Sequence, residues 1–576
     1  MILQALKEYY DRKAADSESG IAPEGFQYKE IPFVIVIDTA GNLVQIKDTR
    51  RPVGKQLRAQ AFLVPQEEKR AGKLGKNVKV NLLWDKAEYA CGICAENSIG
   101  EEAERKHAAF INRVHLLSCQ DEGVLAVLKF LGNNPIHALE AHEQFQEIKE
   151  ANPFVSFQLN TDSIELVPQR RVVIDKIRNM NKTVESHGIC LITGELGAVA
   201  RLHPSIKGVR DANTTGGNIV SFNLSAFNSY GKSQGANAPI GEKAAFAYTT
   251  ALNHLLRKNS NQKIQVGDAS VVFWSDKESI LENTFGALFS EPEKDNPDAL
   301  TDAVTSLYKA LEKGGMPNLE QTKKFYVLGL SPNAARISVR FWLVGTVRDF
   351  SHKIIKHFEG LNIVHADYEP DHLSLWRMLL STAIQGKSEN IAPNLAGEWM
   401  RTILNGLPYP DSLYQSVLRR IRADKEIHYP RAAIIKGYLN RKQPEKEVTV
   451  SLDIENKNVG YRLGRLFAVF EKIQDEAHGR EINAGIKDRY YSAASTVPAS
   501  VFSTLVRLKT HHIKKLDNKG RAINFEKLLG EILNDIVDFP AQLNLSDQGR
   551  FAIGYYHQRQ DFFKKNESTN HEPQGE

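Results

Sequence analysis

Residues 459–527 read VGYRLGRLFAVFEKIQDEAHGREINAGIKDRYYSAASTVPASVFSTLVRLKTHHIKKLDNKGRAINFEK. Leu463, Leu466, Phe467 and Phe470 recur in them at helical spacing, and Val501, Leu505, Leu508, Ile513 and Leu516 form a second apolar stripe. The period predicts several helices that bury these sides against one another. The frame around them is basic. Between Ile486 and Lys527, nine Lys/Arg (Lys487, Arg489, Arg507, Lys509, Lys514, Lys515, Lys519, Arg521, Lys527) stand against three acids (Asp488, Asp517, Glu526), a local excess of six positive charges. A cationic helical module suits a surface that follows phosphates; the plainer reading is a soluble bundle with a charged outer face.

Upstream, helical signals already dominate after His372. Leu375–Ala383, Trp399–Leu404 and Ser412–Ala423 are separated by Gly, Pro or Asn, and Pro430 suits the first turn of a further helix reaching Asn440. A polar linker, 441–453, follows. Beyond the quoted stretch, Phe525–Ile536 and Ser546–Phe563 are the last helical candidates. Earlier, the pattern is mixed. Ile31–Ile37 and Leu43–Ile46 flank the turn residues Thr39–Asn42 as a hairpin would, and Glu101–Phe130 is helical. Phe154–Leu159, Ile164–Val167, Gly188–Ile192 and Phe325–Leu330 read as strands. Ile337–Leu343 reads as another, its apolar residues alternating with Arg336, Ser338, Arg340 and Trp342. An acidic, Pro-containing break lies at 291–298. The expected class is α+β: a mixed α/β N-terminal and central region followed by an α-helical C-terminal bundle. By composition the chain divides into 1–150 with a basic loop, 151–370, a helical connector at 371–440, and the basic bundle 441–576.

At 576 residues, 42% hydrophobic and 25% charged, the chain is globular in composition and long enough for two to four domains. Its formal net charge of +5 does not announce nucleic acid, so local concentration of charge must carry that reading. No apolar run approaches membrane-spanning length and the N-terminus lacks a signal-peptide pattern, which leads to the expectation of a cytoplasmic protein. Four cysteines (Cys91, Cys94, Cys119, Cys190) are too few for a disulfide framework.

Two Gly-loosened basic segments carry the most chemistry. The first runs through Arg50, Arg51, Lys55 and Arg58 to Lys69, Arg70, Lys73, Lys76, Asn77 and Lys79, with Gly72 and Gly75 interspersed. Its ammonium and backbone donors suit a phosphate chain, and Asn77 or Gln66 suits a base edge. The second is Asn213–Gly241, from which Asn228, Lys232, Gln234, Asn237 and, just beyond it, Lys243 are the candidate contacts. Gly231-Lys232-Ser233 resembles the end of a phosphate-binding loop, but Ala226 stands where that motif needs its first glycine, so an ATPase reading fails there. Cys91-Gly-Ile-Cys94 has no second pair at matching spacing to complete a zinc site. Glu195, Asp211, Asp268 and Asp276 are scattered, and adjacent His511 and His512 point apart on a helix, so no catalytic residue is assigned.

Several long segments, in order, resemble one family. They are Ile21–Arg50, Leu82–Ala90, APIGEKAAFAYTTALNHLL (238–256), FYVLGLSPNAARISVRFW (325–342), YRLGRLFAVFEK (461–472), Ile482–Arg507 and LNLSDQGRFAIGYYHQRQ (543–560). The chain resembles the large subunit of a type I-C CRISPR-associated Cascade, an RNA-guided DNA surveillance complex.

That resemblance implies recognition of a short protospacer-adjacent motif on double-stranded target DNA and the start of strand separation. It implies a place beside the RNA 5′-handle-binding subunit, contact with repeated backbone subunits around the CRISPR RNA, and a C-terminal part similar to the small subunits. Cleavage then belongs to a recruited helicase-nuclease, and no metal or cofactor is expected in this chain. The Lys69–Lys79 and Asn228–Lys243 segments are expected to read the motif and wedge the first pair. Lys487, Arg489, Arg507, Lys509, Lys514 and Lys515 are expected to guide the displaced strand. The competing readings are a metal-dependent nuclease and a scaffold whose partners supply all DNA recognition.

Overall fold

The computed structural model describes the chain apart from residues 55, 69, 71–77, 96–98, 181–186, 290–304, 306–307, 310–321, 444–446, 480–483, 535 and 564–576. The acidic break expected at 291–298 therefore lies outside the described residues, as do Lys55, Lys69, Lys73, Lys76 and Asn77. The protein is α+β, with its strands in the N-terminal and central parts and, among the described residues, helices as the only regular elements after β14 (defined below). Contacts divide it into two compact units: 1–207 with 215–254, and 208–214 with 255–576.

The first unit opens with α1 (Ile2–Ala14), β1 (Phe26–Glu30), β2 (Phe33–Ile37) and β3 (Leu43–Asp48). A small ribbon, β4 (Arg51–Val53) and β5 (Gln56–Arg58), and then β6 (Ala61–Pro65) and β7 (Trp84–Lys86) follow. Next come α2 (Ala87–Ala90), α3 (Gly100–Leu116), α4 (Glu122–Gly132), α5 (Pro135–Glu140), α6 (Phe145–Ala151), β8 (Phe154–Leu159) and α7 (Arg171–Arg178). The hairpin β9 (His187–Ile189) and β10 (Leu196–Ala198) precedes α8 (Glu242–Leu256). The central sheet has the order β3-β2-β8-β7, with β2 and β8 parallel. Every residue of β2 (FVIVI) is buried, as a strand covered on both faces requires. Phe33, Ile35 and Ile37 face a core with Phe110, Val127 and Phe157, while Val34 and Val36 pack with Phe62, Val64 and Trp84 on the other side. The hairpin expected at 31–46 is β2–β3, in antiparallel register from Phe33↔Asp48. Ile164–Val167, expected as a strand, instead forms a loop ending in a 3-10 turn at Val167–Gln169, where Pro168 has no amide to give to a ladder.

The second unit begins with β11 (Lys263–Val266), β12 (Ala269–Ser275), α9 (Ile280–Phe289), β13 (Lys324–Asn333) and β14 (Arg336–Thr346), whose strands form an antiparallel meander. The strict alternation expected along Ile337–Leu343 is broken. Gly329 pairs with Phe341 and Leu330 with Val339, so Arg340 is an extra residue that shifts the phase and leaves Val339 39% exposed. Trp342 stacks on Tyr326 at 5.4 Å, an aromatic neighbour that composition alone does not identify.

Ten helices complete the described part: α10 (Val347–Leu361), α11 (Leu375–Leu380), α12 (Leu395–Asn405), α13 (Asp411–Asp424), α14 (Tyr429–Lys442), α15 (Val459–His478), α16 (Ile486–Ala494), α17 (Phe502–Lys514), α18 (Lys519–Leu533) and α19 (Leu545–Asp561). A reciprocal cap starts α10: Thr346 Oγ1 accepts from Asp349 N (3.1 Å) and Asp349 accepts from Thr346 N (3.0 Å). Asn458 and Asn544 cap α15 and α19, accepting from Tyr461 N at 3.0 Å and Asp547 N at 2.8 Å. The last helix thus starts at Leu545, capped by Asn544, rather than at Ser546. From Gly460 to Phe470, α15 is buried on every side, the arginines included. Arg462 donates to the carbonyls of Asn456 (2.7 Å) and Ile532 (3.3 Å), and Arg465 donates to Gln558 Oε1 (3.1 Å).

At the start of α14, His428 is held at a pKa of about 4, mainly by burial, with Arg431 and Arg377 adding to the depression and Asp424 opposing it. The folded state keeps this ring neutral while the unfolded chain protonates it below about 6.5. Stability is therefore complete above pH 6.5 and falls as pH drops toward 4, by up to about 3 kcal/mol from this group. In denaturant titrations at pH 7 and pH 4.5, His428→Gln should lose less stability on acidification than the wild type. Equal losses would refute the assignment.

Candidate nucleic-acid interface

In the first unit, the segment Leu224–Gly241 is irregular but fastened. Ala200 N donates to Ile240 O and Leu191 N to Pro239 O, each at 2.9 Å, so its end is tied to the β9–β10 region. Gly235 N donates to Arg201 O at 3.1 Å, and a Cβ on Gly235 would lie 2.1 Å from Ala200 O, which makes glycine obligatory at this approach. Arg201 Nη1 donates to Gln234 Oε1 at 2.8 Å.

From this base a four-residue turn projects. Lys232 N donates to Ser229 O at 2.9 Å, and Tyr230 (φ +50°) and Gly231 (φ +70°) both take left-handed backbone, the arrangement of a type I′ turn. Asn237 holds the turn closed: its Oδ1 accepts from Ser229 N at 3.2 Å and its Nδ2 donates to Gln234 O at 3.1 Å. Asn228, Lys232 and, in the first turn of α8, Lys243 are exposed. The five expected contacts thus separate into two kinds. Gln234 and Asn237 shape the segment; Asn228, Lys232 and Lys243 present donors to solvent.

The Lys69–Lys79 segment contributes two described candidates. Arg70 is spent inside the fold: its guanidinium bonds the Asp85 carboxylate, donates to Lys79 O at 2.9 Å and lies 4.1 Å from the Tyr89 ring centroid. Asp85 is fully buried, and burial raises its pKa against the pull of Arg70. Its carboxylate also accepts from Asn81 N at 2.8 Å, while Asn81 Oδ1 accepts from Glu68 N at 2.9 Å. Both roots of the 71–77 stretch are thereby joined to one buried acid, and Lys79 remains exposed beside them. In the ribbon ahead of them, Arg51 and Arg58 sit directly opposite one another.

In the second unit, the six cations likewise divide. Lys509 pairs with Glu526 at 2.9 Å, and Lys515 Nζ lies 3.1 Å from His478 Nε2. Lys487 is half-buried near Glu471 and Asp475. Arg489, Arg507 and Lys514 are exposed and form no ion pair among the described residues. Arg507, His511 and Lys514 follow one another at i, i+4 and i+7 on α17, so they share one solvent face. Tyr491, close in sequence to Lys487 and Arg489, belongs to the core: it is 1% exposed and lies edge-on to Phe551 at 5.6 Å.

Of the acids weighed for phosphoryl transfer, Asp268 is bonded to Arg340 (3.0 Å) and Asp276 accepts from Lys324 N (2.9 Å). Among the described residues, no three His, Cys, Asp or Glu side chains converge as metal ligands would. No described helix is long and apolar enough to cross a membrane. A family model described as "CRISPR-associated protein (Cas_Csd1)" matches residues 6–563. No curated protein matches the chain.

Proposed function

Because the chain belongs to the Csd1 family of CRISPR-associated proteins, we propose that it is the large subunit of a type I-C Cascade, recognising the protospacer-adjacent motif and starting target unwinding. The observation that carries this reading is the family match over residues 6–563, nearly the full length. The exposed, cationic Asn228–Lys243 segment, held on a fastened base, supports the DNA-facing part of it. In this reading the subunit is not itself a nuclease. It binds alongside the CRISPR RNA, the 5′-handle-binding subunit, the repeated backbone subunits and the small subunits, and a recruited helicase-nuclease cuts.

Phosphate contacts position a duplex, and a few donors at base edges read it. Lys232 and Lys243 suit the first task, Asn77 and Asn228 the second. The test uses the assembled complex with Asn77, Lys232 and Asn237 changed singly to Ala, binding duplexes with matched and altered motifs across a salt series. Lys232→Ala should weaken binding to all motifs alike and lower the salt slope by about 1. Asn77→Ala should relax motif preference by roughly 1–3 kcal/mol. Asn237→Ala should do both weakly, since it unfastens the turn that carries Lys232. Retention of wild-type preference and affinity by all three would sink the placement of the site.

A further inference from the structure

The first unit's turn carries an exposed aromatic ring. Tyr230 is 97% accessible, and it makes no hydrogen bond or ring contact among the described residues. Its backbone is left-handed at φ +50°, a region that bulky side chains rarely occupy. A type I′ turn is met without strain by Asn or Gly at this position, so turn geometry does not account for the tyrosine. Core packing does not account for it either. Phe222 and Phe227, earlier in the same segment, pack against one another at 6.5 Å.

What the fold does supply is rigidity beneath the ring. Asn237 closes the turn, Arg201 holds Gln234, and Gly235 lies against the Ala200 carbonyl. A large, flat, amphipathic side chain is thus held out at the end of a stiff support. Its neighbourhood along the chain favours a polyanion: Lys232 is two residues away, and no acid occurs between Asp211 and Glu242. Aromatic rings flanked by cations are the general means of holding an unpaired base, because every base has a stacking face.

We infer that Tyr230 stacks on the first base exposed when the target duplex opens, so that the ring keeps the strands apart after the motif has been bound. This rests on the reading of the Asn228–Lys243 segment as DNA-facing, and adds the residue that acts on the opened pair. The hydroxyl has no part in stacking; the ring does. Phenylalanine should therefore serve and alanine should not.

The assembled complex, containing the full chain, is given duplexes with 2-aminopurine at the first pair beside the motif, and capture and base opening are measured separately. Tyr230→Ala is expected to capture motif-bearing duplex within about twofold of wild type while its opening equilibrium falls about tenfold, within the range of one lost base–aromatic stack. Tyr230→Phe should open like wild type, and a target with the first pairs already mismatched should restore the alanine variant. Wild-type opening by Tyr230→Ala, or a defect in Tyr230→Phe equal to that of alanine, overturns the inference while leaving motif capture standing. Failure of the alanine variant to assemble also overturns it and makes the ring a contact for a protein subunit. Absence of motif-dependent capture in the wild-type complex removes the underlying reading, and the inference with it.

Discussion

Gly464→Ala is expected to destabilise the helical unit by about 3 kcal/mol or more, even though alanine is the better helix former by roughly 1 kcal/mol. The sign is set by the contact between α15 and α19. A Cβ on Gly464 would lie 2.0 Å from Phe551 O and 2.8 Å from Tyr555 N, and one on Gly554 would lie 2.0 Å from Tyr461 O. Gly460 makes a third such approach, 2.6 Å from Asp547 O. All the opposing atoms are backbone, so no rotamer change can relieve the clash, and the two helices would have to separate along a face where almost everything is buried. Gly530 in α18 supplies the control. It is exposed, and an added Cβ meets nothing within 4 Å. Gly530→Ala should therefore raise stability by up to about 1 kcal/mol, opposite in sign to the same change at 464. Denaturant titrations of the full chain followed by far-UV circular dichroism would distinguish them. A Gly464→Ala protein unfolding at the wild-type midpoint would mean that this interface is loosely packed.

This helix pair also shows how much of the fold was legible in the sequence. Leu463, Leu466, Phe467 and Phe470 locate α15 by period alone, and all four are buried as that period requires. The same period suggests a helix with one apolar side, whereas Arg462 and Arg465 are buried too, because distant carbonyls and Gln558 satisfy them. Asn456 is local to Arg462, but Ile532 and Gln558 lie 70 and 93 residues from the arginines they accept from and leave no local trace. The β14 alternation failed for a related reason: one extra residue at Arg340 reverses the side-chain phase, and only the partner strand reveals it. A count of basic residues also overstates the charge left for a partner wherever another side chain answers a cation, as Asp85 does for Arg70, Glu526 for Lys509 and His478 for Lys515. Charge does not single out Tyr230, because its neighbours carry it, although Tyr-Gly between polar residues is itself a turn signal.

The separation of free from paired cations leads to the second large effect. Replacing Arg489, Arg507 and Lys514 together by Gln should reduce the salt dependence of displaced-strand binding by about 0.7 per lost phosphate contact, a slope change of roughly 2. Between 50 and 200 mM salt the wild-type complex would then lose roughly 20-fold more affinity than the triple variant. Lys509→Gln is the matched control. Its ammonium already pairs with Glu526, and the side chain is only 15% exposed. Losing it should leave the slope unchanged and cost at most about 1 kcal/mol of stability. A further arm identifies the strand involved, because a target that lacks the non-complementary strand removes the polyanion this face is expected to hold. On that target the triple variant and the wild type should bind alike at every salt concentration, and guide-sequence selectivity should be the same in both. If the triple variant keeps the wild-type slope on the complete target, the Arg507, His511 and Lys514 face of α17 is not where the released strand runs. A slope that falls equally with and without that strand would assign the same face to the guide–target duplex instead.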